Sequence, residues 1–333
     1  MSISVQRHCR QAFLAGLTLF AMSAAHARDY SVQFLKAPDG ASFMPTGMNR
    51  HGTVVGTSSS HCVIAKNGVT REIRLTQAYT DCYWAAIDDD GNLLLTVYAN
   101  GTTSVIRKHG HSVSTLAGLG GGRDWGWAAA GKGGFYGGTS THSDGQDQAF
   151  VFSESGAGLD LGALTGKPYS YVLGMNRLGH SVGFAADDGN FLHAKAFLYA
   201  SGTLTWLGNL GGELWDYTSA HAVNEHGTVV GQSGQWAFIY KNGVMRKLFG
   251  DEMYTGNAAS INNHDEVVGR LSMRAYYFAR GPGVDLNTKL SPDQQIDITL
   301  EDARAINDRG QILTQFHNAA TKVWGGALLT PLN

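Results

Sequence analysis

The side chains with most chemistry to offer in this 333-residue sequence are aromatic, and they gather just ahead of a short recurring motif. Trp84 follows Tyr83, Trp125 and Trp127 follow Asp124, and Trp215 precedes Asp216, Tyr217 and His221. Glu301, Asp302 and Arg304 occupy the corresponding place near the C-terminus. Flat apolar rings beside a few polar groups suit a sugar face or another amphipathic ring. The expected ligand-binding set is therefore Trp84, Trp125, Trp127, Trp215, Tyr217 and His221. The alternative is catalysis in the same region. His221 would act as a general base, with Asp216, Glu301 and Arg304 nearby, in an extracellular polysaccharide lyase or hydrolase.

Other chemistry-like strings dissolve on inspection. Gly179-His180-Ser181-Val182-Gly183 matches the G-x-S-x-G nucleophile elbow, which needs a strand–turn–helix setting. Here it aligns residue for residue with Gly52 to Gly56 and Gly227 to Gly231, which read as turn and strand. Gly118 to Gly122 suggests a phosphate loop, but no helix follows. Asp88-Asp89-Asp90-Gly91 sits on the repeated turn. Asp144-Gly145-Gln146-Asp147 and Asp187-Asp188-Gly189-Asn190 have oxygen donors for calcium but do not fit the EF-hand spacing. No cofactor is expected, calcium in those two loops being the alternative. His61, His142 and His193 fall at differing offsets and read as loop histidines, so no metal site is expected.

The motif behind these residues is an apolar residue, Asn or Asp, two variable residues, Gly, and an apolar run often ending in Gly. Its anchors stand at Asn49, Asp88, Asn176, Asn224, Asn262 and Asn307, with a degraded copy at Ala130. The intervals are 39, 42, 46, 48, 38 and 45 residues. A period of that size with short strands indicates a blade array. Asn or Asp can bond to its own backbone two residues on, and Gly supplies the left-handed residue of a tight hairpin. Asp265 replaces that Gly in one copy, and Asp tolerates the same region. Val-Val and Ile-Leu pairs after the turn are apolar on both faces, as in a strand buried on both sides. A second hairpin follows each copy, as at Asn242-Gly243 and Ser201-Gly202.

The fold expected is all-β: a seven-bladed propeller of four-stranded antiparallel blades. The last unit lacks an outer strand, and Tyr30 to Leu35 is an orphan strand at the matching offset from its anchor. That N-terminal strand is expected to close the ring and remove an open edge. In such blades the first–second and third–fourth strand turns share one face of the disc. The longer loops that carry the aromatic residues share the other, where function tends to sit.

Composition bounds the rest. Charged residues are 16% and net charge is −2, which gives no basic field for nucleic acid. Residues 1–27 have a basic start, an apolar run of about 11 residues and Ala25-His26-Ala27, the pattern of a cleaved secretory signal. The run is too short to span a bilayer, and no later stretch is long and apolar enough. Residues 28–333 would then form one propeller domain in a secreted or periplasmic, monomeric protein. Export leaves Cys62 and Cys82, expected to form a disulfide worth on the order of 3 kcal/mol.

Gln148-Ala149-Phe150, Lys195-Ala196-Phe197 and Trp236-Ala237-Phe238 resemble the His-Ala-Phe step of bacterial extracellular HAF-repeat proteins. Leu207-Gly208-Asn209-Leu210-Gly211-Gly212 is similar to their Leu-Gly-Thr-Leu-Gly-Gly step. The resemblance runs from about Leu116 to Gly269 and replaces the His in all three copies. It implies export and a repeated β architecture, and carries no catalytic residues over. The expected function is a binding or interaction module for a glycan or cell-envelope ligand.

Overall fold

The structure, a computed structural model, describes residues 29–75, 79–129, 134–156, 158–211, 216–248, 255–279 and 283–332. The expected signal segment, Ala130, Trp215 and Tyr254 lie outside the described residues.

Each motif copy closes its hairpin through the anchor side chain. In the first copy, Asn49 Oδ1 accepts from the backbone N–H of His51 at 3.1 Å and Thr53 at 3.0 Å. The same pair of bonds recurs at Asp88, Asn176, Asn224, Asn262 and Asn307. The fourth residue turns left-handed, with φ of 79° at Gly52 and 59° at Asp265.

Among the described residues the strands form seven four-stranded antiparallel sheets. Named from the inside outwards, blade 1 holds Met44–Met48, Val54–Ser58, His61–Lys66 and Val69–Glu72. Blade 2 holds Asp81–Ile87, Leu93–Ala99, Thr102–His109 and Ser112–Thr115. Blade 3 holds Asp124–Ala129, Phe135–Thr141, Asp147–Ser153 and Leu159–Asp160. Blade 4 holds Tyr169–Met175, Ser181–Ala186, Lys195–Ala200 and Thr203–Trp206. Blade 5 holds Thr218–Val223, Val229–Ser233, Trp236–Lys241 and Val244–Lys247. Blade 6 holds Gly256–Ile261, Val267–Leu271, Arg274–Phe278 and Val284–Asp285. Blade 7 holds Ile298–Ile306, Ile312–Asn318 and Val323–Pro331, and its outer strand is Tyr30–Leu35. That strand pairs antiparallel from Tyr30 opposite Pro331 to Leu35 opposite Gly326. Neighbouring sheets pack in sequence order, and blade 1 packs against blade 7. The chain is thus a seven-bladed β-propeller closed by its N-terminal strand.

The paired apolar residues of the second strand explain how the ring fills. Consecutive strand residues face opposite ways. Val54 enters the core between blades 7 and 1, while Val55 enters the core between blades 1 and 2. Val229 and Val230, and Val267 and Val268, divide the same way between their two flanking cores. The core is accordingly a set of inter-blade clusters. The Cys62–Cys82 disulfide, with Cα atoms 5.4 Å apart, joins blade 1 to blade 2.

The anchor amides also tie the blades together. Asn49 Nδ2 donates to the Asp88 carbonyl at 3.1 Å. Asn176 donates to Asn224, Asn224 to Asn262 and Asn262 to Asn307, at 2.8, 3.1 and 3.1 Å. Asn307 then donates to the Asn49 carbonyl at 3.3 Å across the closure. Asn49→Asp keeps the acceptor oxygen and removes this donor from a buried site. A urea titration should show stability reduced by about 1–3 kcal/mol, and an unchanged midpoint and slope would refute the role given to the belt.

Candidate functional site

The innermost strand of every blade carries a β-bulge against its neighbour. The unpaired residues are Thr46, Tyr83, Trp127, Leu173, His221, Ala259, Glu301 and Arg304, blade 7 having two. A bulge re-aims one side chain and bends the strand. In blades 1, 3, 4, 5 and 6 a glycine at the motif's end makes room for it, and blades 2 and 7 bulge without one. A Cβ on Gly231 would run into the Ser219 carbonyl oxygen, and one on Gly269 into that of Asn257. The bulged residues stay out of the inter-blade cores, and two of them bond to the next blade. Thr46 Oγ1 donates to the Ala85 carbonyl, and His221 Nδ1 lies 2.9 Å from the Ala258 carbonyl oxygen.

Blades 2 and 3 use these positions for an aromatic cluster. The Trp125 and Trp127 rings stack with centroids 5.4 Å apart and planes 9° from parallel. Trp84 meets Trp127 edge-on at 5.2 Å and donates its Nε1–H to the Trp127 carbonyl at 3.3 Å. Trp127 Nε1 donates to Thr139 Oγ1 at 3.3 Å. Tyr83 leans on Trp125 at 5.8 Å and is 45% exposed, so one edge of the cluster faces solvent. Burial raises the pKa of the adjacent Asp124 carboxyl, against the hydrogen bond from Ser140.

Blades 5 to 7 hold the polar counterpart. The acceptor at His221 Nδ1 is a carbonyl, so that nitrogen carries the proton and Nε2 holds the lone pair. Burial lowers the His221 pKa, opposed by the Ala258 carbonyl and the charge of Asp302. Asp302 Oδ2 lies 3.0 Å from Arg304 Nε, and Arg304 Nη2 donates to Gln315 Oε1 at 2.7 Å. Burial raises the Glu301 carboxyl, with His317 and Arg270 lowering it and Asp302 raising it.

The sequence-derived set therefore divides. Trp84, Trp125 and Trp127 come together. His221 feels the charge of Asp302, and Asp216 lies elsewhere. Five steps of near-extended chain separate Asp216 from His221, about 16 Å at strand rise. Asp216 accepts instead from Asn209 Nδ2 and lines a groove with Lys195 and Trp206. Tyr217 lines a further depression beside Phe191, and burial raises its hydroxyl pKa. Trp215 lies outside the described residues. Reasoning from sequence passed over Asp302 as a partner for His221, and passed over Trp206 because it reads as an ordinary strand residue.

The carboxylates weighed for calcium have local partners. Asp147 accepts from Thr141 and Tyr171, and Asp188 from the backbone of Asn190 and Phe191. Among the described residues no three His, Cys, Asp or Glu side chains gather as metal ligands. Among the same residues no helix is long and apolar enough to cross a membrane.

No family model matches the sequence, and no curated protein is similar to it in sequence. Solved structures share the fold. The β-propeller domain of the Trilobed protease from Pyrococcus furiosus superposes with TM-score 0.58 at 11% identity, over 88% of this chain and 98% of that one. A catalytically inactive virginiamycin B lyase from Staphylococcus aureus, in a structure with quinupristin, gives 0.56 at 11%, over 91% and 100%. The extracellular domain of BT4673 from B. thetaiotaomicron gives 0.56 at 10%, over 92% of this chain and 40% of that one. At such identities the likeness is one of fold.

Histidine NMR tests the electrostatics of the polar half. The His221 ring should titrate below the ordinary value of about 6.5, with Nδ1 protonated in the neutral form. A midpoint at or above that value would contradict the buried, carbonyl-bound geometry.

Proposed function

We propose that this protein is an exported binding propeller of the HAF-repeat kind that holds a glycan or cell-envelope ligand. Residues 1–27 would be its cleaved signal, and residues 28–333 a secreted or periplasmic monomer. The observation that carries this reading is the stacked Trp125–Trp127 pair, buttressed by Trp84 and opened to solvent at Tyr83. Hydrogen bonds hold two of these indoles in place, so the rings offer a pre-ordered surface that loses little freedom on binding. The disulfide between blades 1 and 2 supports an oxidising compartment. The fold is also that of the extracellular BT4673 domain and of a lyase seen with quinupristin, which supports ligand binding by such a disc. A printed array of defined glycans, probed with the chain from Arg28 onwards, tests the reading. Trp125→Ala combined with Trp127→Ala should weaken the best binder at least about tenfold, near 1.4 kcal/mol. Undiminished affinity would remove the stack from the site.

One observation favours a second, catalytic reading. His221 is held neutral with its Nε2 lone pair unprotonated, in the field of the Asp302 carboxylate that pairs with Arg304. In a polysaccharide lyase or hydrolase it would be the base, with Asp302 taking the place first assigned to Asp216. Degradation of the array's best ligand should then cease in both His221→Ala and Asp302→Asn. Turnover surviving in either variant would reject that assignment.

A further inference from the structure

Three depressions lie in series on the disc, and neither the tryptophan stack nor the His221 group lines them. The first, about 450 Å³, sits between blades 3 and 4 and is lined by His142, Gln146, Gln148, Asp160 and Lys167. The second, about 520 Å³, sits between blades 4 and 5 and is lined by Lys167, Lys195, Trp206, Asn209, Asp216 and Thr218. The third, about 420 Å³, is lined by Phe191, Leu192, Tyr217, Gln232, Gln235 and Thr255. The first two share Lys167, and the adjacent residues Asp216 and Tyr217 join the second to the third. Each volume falls within the range of about 300–1,000 Å³ usual for ligand sites.

The first two are the same groove made twice by the repeat. Gln148 and Lys195 stand at equivalent places at the start of third strands, and Asp160 and Trp206 end equivalent outer strands. Gly162 and Gly208 follow those ends. A site repeated at successive blade junctions matches a ligand that is itself a repeat. The lining chemistry narrows the class. Trp206 is 40% exposed and Leu192 51% exposed, which leaves apolar faces open to solvent. Between them stand Asp160, Asp216, Asn209, Gln232 and Gln235, planar carboxylates and amides whose paired atoms suit adjacent hydroxyls.

Strain in the third depression points the same way. Phe191 is a bulky residue at φ 57°, a conformation that costs energy and clusters at ligand sites. Its ring is wedged among Tyr169, Tyr171 and Phe184, with centroids 5.5 to 6.1 Å away. Asp188 Oδ1 accepts from its backbone N–H at 3.2 Å. With Phe191 turned inwards and pinned, the neighbouring Leu192 projects into solvent.

We infer that the three depressions form one track for a polysaccharide, with successive segments of the chain, each several sugar units long, at successive blade junctions. The inference takes its ligand class from the glycan-binding reading and places the chain on a separate surface. The test measures binding of length-graded oligosaccharides, and of an array of extended peptides, to four proteins. These are the parent chain from Arg28, Trp206→Ala, Asp216→Lys, and the Trp125→Ala, Trp127→Ala double variant. Parent affinity should rise at least about tenfold from disaccharide to hexasaccharide. Trp206→Ala and Asp216→Lys should each remove that gain while leaving the short ligand bound. Asp216 is exposed, so its variant guards against a folding defect at Trp206. Affinity independent of length, or a gain that survives both groove variants, overturns the track. If the double variant then still loses binding, the tryptophan stack stands without it. Absence of glycan binding by the parent overturns both readings, and binding confined to peptides overturns the ligand class.

Discussion

A single side-chain amide in each of five blades carries the architecture. The anchor Asn spends its oxygen on its own turn, bonding two backbone N–H groups, and its nitrogen on the carbonyl of the next blade's anchor. Only an amide does both. An Asp can close the turn but has no N–H to pass on, as Asp88 illustrates: both its oxygens accept, from Asp90 and Asn92. Burial makes the arrangement consequential, since Asn49, Asn224 and Asn262 are almost fully enclosed and an unmade bond there would remain unmade. The link from Asn307 to Asn49 closes the belt, while the outer strand Tyr30–Leu35 closes the same junction at the rim. The ring is therefore locked at both radii.

The second element of the motif, its terminal glycine, turns this scaffold into a display. Because Gly231 and its equivalents have no Cβ, the facing strand can bulge towards them and lift one residue out of register. Each blade offers its inner strand a position released from core packing, blades 2 and 7 without such a glycine. In blade 3 it holds Trp127, in blade 5 His221, and in blade 7 both Glu301 and Arg304. The scaffold is indifferent to what stands there, so aromatic and charged chemistry can divide the ring between them.

How much of this was legible in the residues follows from the range of the forces involved. The hairpins depend on neighbours two to four residues apart, and the Asn-x-x-Gly spacing declares them. The two-sided cores depend on Val54 and Val55 pointing opposite ways, which alternation alone specifies. Ring closure was readable because one unit lacked a strand and another segment had none to pair with. The Asn amide's second bond was not readable: its acceptor lies 39 residues away in one copy and 48 in another. Aromatic residues placed ahead of each anchor were visible as a class. Which of them meet was not, because that depends on bulges, and a one-residue slip moves a side chain to another face. Trp206 was hidden for the opposite reason. Its exposure arises from the groove beside an outer strand, which no local pattern encodes.

The belt also explains why chemistry gathers away from the motif's own turns. At that end of the channel every turn residue has a structural duty. The anchor is in the belt, and the fourth residue must adopt positive φ. The second residue reaches the neighbouring blade: Arg50 N–H bonds Asp89 at 2.9 Å, Glu225 N–H bonds Asn263 at 2.9 Å and Asn263 N–H bonds Asp308 at 2.8 Å. Several of the charges there are spent on one another. Arg177 lies 3.6 Å from Asp89 and 3.5 Å from Glu225, spanning the mouth where the degraded copy interrupts the belt. Exposed pairs of this kind contribute about 0.2–1 kcal/mol each, enough to organise a rim and leave little unpaired charge for a ligand. The opposite loops carry no such obligation. They differ in length and composition from blade to blade, and substitution there disturbs neither belt nor bulge. A ring held so firmly at one end is free to vary at the other, and the tryptophans and the strained Phe191 lie among residues that the repeat does not require, while the serial grooves vary what the repeat itself builds.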